Sequence, residues 1–460
     1  MAGTHSGVGK TTVATGLMAA WHRRGVAVAA AKVGPDFIDP GYHEVATGRP
    51  GRNLDAFLSG ADALAPLAGR AAAGADLLVV EGAMGLFDGI GATADASTAH
   101  VALLLDAPVV LVVDASSMSG SVAALVHGFD DTLRRLGGRP LAGVVLNRVG
   151  SDTHTAMLAD ALATQLGTRA PPLVGMVRRG AVDMWRDRHL GLVPVAEQRA
   201  TVAASVRALG GALGSALDLD ALERIARAAP ARAVADLTPL EPVAGSVRVA
   251  VAAGPAFTFA YPDNLERLRE AGAVLAPFDP LEDRALPSGA QALYAGGGFP
   301  EVYAARLADN EALADDVRAK VAGGLVTWAE CGGMLWLARS LGGHRLCGAL
   351  PATGTMGTQI SVGYRHATVR TDNPVAPRGS RLRGHELHYS RLEPPGGALE
   401  LVRAGGGLPD GAPRAEGWAS PTLLATYLHL HLGADGGPAA RFVRTAARAA
   451  GGSAEAAPIG

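Results

Sequence analysis

Cysteine and lysine are both scarce in this chain of 460 residues. The two cysteines, Cys331 and Cys347, are too few for a disulfide framework and fit a reducing compartment. Lysine occurs only at positions 10, 32 and 320, while arginine fills almost all the other basic positions. The few lysines therefore draw attention to sites such as phosphate sites, where an ammonium group is not interchangeable with a guanidinium.

Long apolar runs and an excess of charge are also missing. Apolar stretches such as residues 101–113 are interrupted by Asp106 and Pro108, so they fall short of the ~20 residues that a membrane span needs. No basic segment followed by an apolar one precedes Gly3 in the manner of a signal peptide. The net charge of −2 gives no reason to expect nucleic acid or an anionic membrane as a partner. We therefore expect a soluble cytoplasmic protein that binds neither.

The length and the hydrophobic content of 48% are enough for two full domains. Short apolar strands alternate with helical stretches, such as residues 53–74, which predicts an α/β fold with doubly wound, mostly parallel sheets. The pattern weakens into Ala, Arg and Pro after residue 215, and a second α/β series starts at Val247. The predicted parts are a first domain at 1–229, a linker at 230–246, a second domain at 247–440, and a C-terminal helix end and tail at 441–460.

The segment Gly3–Thr12 predicts a phosphate-binding loop that opens a helix. Its glycines let backbone N–H groups approach phosphate oxygens, and the start of a helix adds a favourable dipole. Lys10 is expected to reach the β- and γ-phosphates of ATP, and the Thr11 hydroxyl to ligate Mg²⁺. The residues assigned to the nucleotide are Gly7, Gly9, Lys10, Thr11 and Thr12. Such a loop should follow a buried strand, and only Met1 and Ala2 precede it, so we expect either a shortened first strand or a start codon assigned too late.

Carboxylates gather near the predicted strand ends of the first half, where sheets of this kind bind ligands. Asp36 and Glu81 are expected to hold the same Mg²⁺ directly or through water, with capping or loop salt bridges as the alternative. Lys32 is expected to meet phosphate or a substrate carboxylate, or else to form a loop salt bridge with Asp36. Asp39 and Asp88 are expected to contact the substrate, and turn capping is the alternative for Asp88.

In the second half, Cys331 lies between a predicted strand and a predicted helix and is followed by two glycines. Exposure at the start of a helix lowers the pKa of a thiol and favours the nucleophilic thiolate. His429 is the expected general base, and on a strand His431 would share its face, so that one histidine acts on the thiol while the other orients it. Gly296–Gly298 could supply backbone N–H groups to an oxyanion, although such a run often makes only a turn. Structural histidines are the alternative, and Cys347 is expected to be a packed apolar thiol.

Taken together and in order, these motifs resemble the family of cobyrinate or hydrogenobyrinate a,c-diamide synthases over nearly the whole chain. The matching stretches are residues 3–12, 32–39, 81–89, 188–192, 296–301, 330–333, 384–390 and 427–431. The resemblance implies a P-loop NTPase-like domain similar to dethiobiotin synthetase, followed by a class I-like glutamine amidotransferase domain. The sequence departs from ordinary class I amidotransferases in having His431 where their triad carboxylate would stand.

The resemblance further implies a ligase of cobalamin biosynthesis that uses ATP and glutamine to amidate the c and then the a acetate side chain of a corrin macrocycle through an acyl phosphate. Its cofactors would be ATP and Mg²⁺, and its partners L-glutamine and a corrin-type macrocyclic carboxylate. One alternative is another tetrapyrrole carboxylate, as for cobyric acid synthase or nickel-sirohydrochlorin diamide synthase. Another is a partition-type ATPase that acts as a nucleotide-switched binding protein. The sequence leaves open whether the ring carries cobalt and whether the chain forms a homodimer.

Overall fold

The computed structural model describes residues 1–181, 187–188, 191–192, 194–230, 237–405 and 412–455, so part of the sequence motif at 188–192 lies outside it. The chain divides into two compact units, Met1–Leu237 and Thr238–Gly460. Helices alternate with parallel strands in both units, which confirms the predicted α/β fold class, and the second unit also has a mostly antiparallel sheet. Among the described residues, none of the helices combines the length and the apolar character needed to cross a membrane.

The elements of the first unit follow the chain in regular alternation. Its strands are β1 Ala2–Gly3, β2 Val28–Val33, β3 Arg52–Leu54, β4 Leu77–Glu81, β5 Val110–Asp114, β6 Gly143–Val149, β7 Leu173–Arg178, β8 Asp187–Arg188 and β9 Gly191–Leu192. Its helices are α1 Lys10–Arg23, α2 Asp39–Thr47, α3 Ala56–Ser59, α4 Leu64–Ala72, α5 Thr98–Leu105, α6 Ser121–Arg135, α7 Asp152–Leu166, α8 Arg199–Ala216 and α9 Leu219–Arg227. Short 3₁₀ turns lie at Ala61–Ala63, Gly167–Arg169 and Val195–Glu197.

Parallel pairing brings the carboxyl ends of these strands to one edge. The strand orders are β3-β2-β4 and β1-β5-β6-β7, and β1 is joined to the end of β4 by a backbone hydrogen bond of 2.8 Å from Gly82 N–H to Met1 O. The phosphate-loop candidate therefore does follow a strand, although that strand is two residues long. On one face of the sheet, Gly16 in α1 lies so close to Leu213 of α8 that a Cβ would stand 2.6 Å from its Cγ. A larger residue at position 16 would push these two packed helices apart.

The predicted helix over residues 53–74 is wrong in its first part. Residues 52–54 form β3 beside β2, and the helical region begins only at Ala56. Asp55 caps that start by accepting hydrogen bonds from Phe57 N–H and Leu58 N–H. Gly60 then interrupts the helix with a φ of 84°, so the amphipathic segment is divided among α3, a 3₁₀ turn and α4. Strand pairing and a glycine break override the helical pattern here.

The second unit contains a parallel sheet and a mostly antiparallel one. Its strands are β10 Val247–Ala252, β11 Ala273–Phe278, β12 Ala292–Ala295, β13 Val326–Glu330, β14 Ser340–Leu341, β15 His344–Arg345, β16 Thr353–Val369, β17 Arg381–Glu393, β18 Leu399–Arg403, β19 Arg414–Glu416, β20 Trp418–Ser420 and β21 Leu423–Thr426. Its helices are α10 Pro262–Glu270, α11 Ala304–Asp309, α12 Glu311–Ala322, α13 Gly332–Leu337 and α14 Gly437–Glu455. The first sheet has the order β11-β10-β12-β13-β21-β20, with β20 antiparallel at its edge. The second has the order β15-β14-β16-β18-β19, with β17 also paired to β16.

The described ends of the predicted linker and tail pack against the second unit. Leu240 and Val243 contact its core, and Val243 N–H donates to Ala271 O at 3.1 Å. In α14, Phe442 and Val443 are fully buried in the same core. Residues on both sides of the predicted boundary at 440 thus belong to one helix, while the domain limits themselves stay a prediction.

Candidate active sites

The loop between β1 and α1 is bent by two glycines. Gly7 and Gly9 adopt left-handed φ angles of 81° and 92°. A side chain at Gly9 would overlap the amide of Asn147, whose Nδ2 donates a 2.7 Å hydrogen bond to Val8 O. Arg148 Nη2 donates to Gly7 O at 2.9 Å, so residues near the end of β6 hold the loop on two carbonyls. Within the described residues no side chain caps α1, and its first N–H groups are donors suited to an anion.

Lys10 begins α1 and is buried beside this loop. Its Nζ donates a 3.1 Å hydrogen bond to His5 O, across the turn. Burial and the positive charge of Lys32 lower the pKa of Lys10 to about 8. A phosphate group beside the ammonium would offset both effects, because an opposite charge favours the protonated form. Thr12 lies in the same first helical turn.

A polar cluster follows directly behind the loop. The Thr11 hydroxyl lies 2.6 Å from Glu81 Oε1 and 3.2 Å from Asp39 Oδ2, and it can donate to either. Lys32 Nζ donates to the same two carboxylates, at 2.6 Å to Asp39 and 2.7 Å to Glu81. The second oxygen of Glu81 lies 2.7 Å from His43 Nε2. The structure thus brings together four of the residues that the sequence singles out, and adds His43.

The charges in this cluster depend on one another. Burial alone would lower the pKa of Lys32, but the carboxylates of Asp39 and Glu81 raise it above its usual value. Burial would likewise raise the pKa of Glu81, but Lys32 and His43 bring it below its usual range. Burial and the nearby charge of Asp36 raise the pKa of Asp39 to about 7. A charged Lys32–Glu81 pair therefore stands beside Asp39, whose carboxyl group has a raised pKa.

The oxygens around Thr11 fit Mg²⁺. This ion is usually held by one or two carboxylates together with substrate phosphates, rather than by a cage made of protein alone. The Thr11 hydroxyl and the carboxylates of Glu81 and Asp39 supply oxygens of that kind beside the loop. Among the described residues, no group of three or more His, Cys, Asp or Glu side chains forms a complete metal site. Phosphate oxygens would have to complete the coordination.

Asp36 and Asp88 organise the loops on either side of the cluster. Asp36 Oδ1 accepts hydrogen bonds from Ile38 N–H at 2.8 Å and Asp39 N–H at 2.9 Å, at the start of α2. Asp88 Oδ2 accepts a 2.7 Å hydrogen bond from Gly85 N–H in the loop after β4. Both contacts are the capping alternatives of the sequence analysis, and the roles of Asp36 at the metal and of Asp88 at the substrate stay predictions.

A cavity of about 640 Å³ in the same unit lies elsewhere. Apolar side chains of β4, α4 and α9 line it, including Leu78, Val80 and Ile225. Among the described residues, its lining includes none of the residues that bind phosphate or metal in the sequence prediction. Volume alone is therefore a poor guide to the site of chemistry here.

In the second unit, Cys331 occupies a sharp turn between β13 and α13. Its φ of 45° and ψ of −101° are unusual for a residue with a side chain, and such strain is concentrated at functional sites. The turn is packed tightly, since a side chain at Gly333 would overlap Ala295 O and a Cβ at Gly332 would lie 2.8 Å from Gly298 N. The predicted strand–cysteine–helix arrangement is present, and the glycine loop after β12 lies directly against it.

His429 lies on the other side of that glycine loop. A Cβ at Gly297 would stand 2.5 Å from His429 Cε1, and the His429 backbone exchanges two hydrogen bonds with His385. The two histidines predicted to share a strand follow the end of β21 instead, because β21 stops at Thr426. Each faces a carboxylate: His429 Nδ1 lies 3.5 Å from Glu330 Oε2, and His431 Nε2 lies 3.7 Å from Asp263 Oδ2.

The expected low pKa of Cys331 is wrong for this state of the protein. Burial, reinforced by the negative charge of Glu301, raises the pKa of the thiol above its usual range. A hydrogen bond from Gly332 N–H, at the start of the six-residue helix that follows, lowers the pKa of the thiol by less than burial raises it. A nearby base must therefore remove the proton when the thiol reacts. Cys347 is a fully buried free thiol, in keeping with the packing role predicted for it.

The stretch 384–390 in β17 lies beside the nucleophile candidate. Cys331 Sγ is 3.8 Å from Leu387 O. The imidazole ring of the following residue, His388, stacks on the ring of Tyr427, with ring centroids 3.7 Å apart. Glu386 binds Arg365 at 2.7 Å and also pairs with Arg414. Arginine side chains thus hold the Glu386 carboxylate, and the stretch contacts the nucleophile candidate through Leu387 O.

Sequence analysis missed several residues that contact the candidate sites, among them Asn147, Glu330 and His43. Asn147 and Glu330 stand at or near the ends of parallel strands, a position that points to ligand sites in such sheets. The sequence alone therefore indicated a strand-end position for both Asn147 and Glu330. His43 lies inside α2, and its contact with Glu81 depends on how the helix packs on the sheet. No local pattern marks it.

Comparison with known proteins agrees with this two-part organisation. Residues 1–190 match the CobQ/CobB/MinD/ParA nucleotide binding domain, and residues 248–437 match the CobB/CobQ-like glutamine amidotransferase domain. A hydrogenobyrinate a,c-diamide synthase of Streptomyces coelicolor is 44% identical over 96% of this chain and 96% of its own. One from Thermobifida fusca is 46% identical over 95% and 94%. A cobyrinate a,c-diamide synthase of Synechococcus is 40% identical over 94% of both chains.

Proposed function

Because the chain belongs to the family of cobyrinate and hydrogenobyrinate a,c-diamide synthases, we propose that it amidates the c and a acetate side chains of a corrin-type macrocycle with glutamine and ATP. The reaction has two halves, since a carboxylate is a poor acyl donor and ammonia is mostly protonated at neutral pH. One unit releases ammonia from glutamine, and the other activates the acetate and forms the amide.

The synthetase half uses the residues around the glycine loop. The backbone of Gly7 and Gly9 and the Lys10 ammonium bind the phosphates of ATP, with Thr11 and Thr12 in the first helical turn. Mg²⁺, held by Thr11 with Glu81 and Asp36 or Asp39, would neutralise phosphate charge when bound.

An acetate oxygen takes the γ-phosphoryl group and ADP leaves. Ammonia then attacks the acyl phosphate, and phosphate departs as the amide forms. Lys32, Asp39 and Asp88 are the residues that we assign to the acetate, and the cluster of Lys32 with Asp39 supports this assignment.

The glutaminase half uses Cys331. Its sulfur bonds to the side-chain carbonyl carbon of glutamine while its proton moves to His429. Backbone N–H groups of the Gly296–Gly298 loop stabilise the oxyanion, except that of Gly297, which donates to Phe259 O. The carbon–nitrogen bond then breaks, and the same proton leaves with the nitrogen as ammonia. Water cleaves the thioester to release glutamate. The sequence analysis also assigns His431 to the glutaminase residues, as the histidine that orients His429.

The observation that carries the proposal is the presence of both sites in one chain that matches named diamide synthases along nearly its whole length. The glycine loop with its buried Lys10 supports nucleotide chemistry, and the strained turn at Cys331 supports a thiol nucleophile.

The test is to incubate the purified protein with ATP, glutamine and either hydrogenobyrinate or cobyrinate, and to read product masses. We expect two successive amidations of one or both macrocycles. Cys331→Ala should lose amidation with glutamine, because no thioester forms, while keeping amidation with added ammonium. Lys10→Ala should lose both, because the phosphates lose their cation. A Cys331→Ala variant that uses glutamine at the wild-type rate would rule out this nucleophile, and Cys347 would be tested next.

A further inference from the structure

Glu330 stands immediately before the nucleophile candidate and is buried. As the last residue of β13, it directs its carboxylate toward the segment that carries His429. Glu330 Oε2 lies 3.5 Å from His429 Nδ1, and Oε1 accepts a 3.2 Å hydrogen bond from Leu430 N–H. One carboxylate thus contacts both the imidazole and the backbone that follows it. The cysteine and the group that orients its base are consecutive residues of one strand end.

His431 has a different environment. Its Nε2 lies 3.7 Å from Asp263 Oδ2, and its ring meets Tyr261 edge to face with centroids 4.8 Å apart. Asp263 is in the first turn of α10, where a negative charge is favoured by the helix dipole. The backbone between the two histidines is held separately, since Asn264 Nδ2 donates to Leu430 O at 2.7 Å. These contacts give His431 a local structural role.

We propose that Glu330 is the positioning residue for His429 in the glutaminase reaction, in the place that sequence reasoning gave to His431. The inference rests on the proposed glutaminase function. It gives Glu330 the role of the carboxylate in a nucleophile–histidine–carboxylate triad. Glu330 differs in its position, because it directly precedes the nucleophile candidate in the chain.

The physical reason is the tautomer of the imidazole. A carboxylate facing Nδ1 favours the form that carries its proton there, which leaves Nε2 as the acceptor for the thiol proton. The same negative charge stabilises the imidazolium that forms when Cys331 attacks. A separation of 3.5 Å is long for a hydrogen bond, but such contacts are often loose before substrate binds.

Other groups around His429 also influence its charge, and none of them replaces this carboxylate. His385 is the bridge partner of His429 on β17, and burial together with the charge of His429 lowers the pKa of His385 to about 3. It therefore stays neutral near pH 7 and adds no second positive charge beside His429. Among the described residues, the ionisable groups beside His429 or its carboxylate include Tyr294, Cys331 and His385.

The test compares Glu330→Gln with wild type in the full-length protein, with glutamine or ammonium as the nitrogen source. The amide keeps an oxygen that accepts from Leu430 N–H but removes the charge. We expect kcat with glutamine to fall by about a hundredfold, with KM for glutamine and ammonium-dependent amidation unchanged. The acid limb of the glutamine pH profile should move to lower pH, because an imidazolium without its carboxylate loses its proton more easily. Glu330→Asp, which keeps the charge, should keep the acid limb and recover part of kcat.

Asp263→Asn is the matched control, because it removes the charge of a buried carboxylate that faces the other histidine. In Asp263→Asn, the acid limb of the glutamine pH profile should stay at the wild-type pH. An unshifted limb in Glu330→Gln would overturn the proposal even if activity fell, and so would a shift in Asp263→Asn alone. If Glu330→Gln did not fold, Glu330→Asp would carry the test, and a wild-type kcat with glutamine in that variant would overturn it. Wild-type protein that releases no glutamate from glutamine would instead overturn the glutaminase function itself.

Discussion

Lys10 is buried and lies near a second lysine, Lys32. We expect nucleotide binding to depend on pH because both features favour loss of the Lys10 proton. The pKa of Lys10 is lowered to about 8 by burial and by Lys32. The ammonium therefore loses its proton as the pH rises through that value, earlier than an ordinary lysine would. A bound phosphate favours the protonated form, so affinity for the nucleotide should fall as the proton is lost.

We expect the Kd for ATP to rise by up to about tenfold for each pH unit above the pKa of Lys10. Titration calorimetry from about pH 7 to pH 10 measures this directly. Lys10→Arg is the control, because a guanidinium stays charged over the whole range, although its shape differs. Equal slopes in the two proteins would show that another group titrates.

Candidate reactive residues were easier to select from the sequence than the side chains that contact them. Lys10, Thr11 and Cys331 follow from glycine-containing motifs that are local in the chain. The contacts of Glu81 with His43 and of His429 with Glu330 join residues that are far apart in sequence. The raised pKa of Cys331 also depends on tertiary burial, which the motif around it does not reveal.

At the scale of elements, both candidate sites lie at turns that follow parallel strands, and the order of these strands and turns was predictable from the sequence. Strands such as β2 and β5 can be predicted from their apolar composition. The division of residues 53–74 was missed because β3 is stabilised by pairing with β2, and its own pattern is too short to stand out. The end of β21 at Thr426 was missed for a related reason, since a buried carboxylate of β19 holds the chain there.

That carboxylate, Glu416, links β19 to β21. It accepts hydrogen bonds from the Thr426 hydroxyl and from Tyr427 N–H. Burial raises the pKa of Glu416 from 4.5 to about 7. The folded state therefore binds this proton more tightly than the unfolded state. The resulting stabilisation is complete below about pH 4.5 and is lost as the pH rises through about 7.

Glu416→Gln should remove that part of the pH dependence. Its amide can accept from Tyr427 N–H and donate to the Thr426 oxygen without titrating. We expect the wild-type second unit to lose on the order of 3 kcal/mol relative to the variant between about pH 4.5 and pH 8. Thermal unfolding of both proteins at several pH values measures the difference. A wild type that gains stability over the variant on going to pH 8 would contradict the buried, protonated carboxyl.

At the scale of the whole molecule, the composition change after residue 215 predicts a boundary between two cores, and its exact position stays a prediction. The first core includes Leu219 and Leu222 of α9, and the second includes residues from Val247 onward. Leu240 and Val243, inside the predicted linker, pack on the second core. The local sequence did not reveal that packing, because the neighbours of these residues, such as Ala271 and Gly436, are distant in the chain.

Limited proteolysis should therefore cut in a narrower segment than 230–246. Leu240 and Val243 are held against the second core, and Arg227 forms an ion pair with Glu223 within α9. Between them, Arg232 offers trypsin a site in a stretch rich in Ala and Pro, which is typical of a linker between domains. We expect brief digestion to give two resistant fragments that meet at Arg232, identified by mass. Arg232→Gln should delay this cut without changing thermal stability. First cuts at arginines inside either unit, such as Arg134 or Arg318, would contradict the view that each unit has its own stable core.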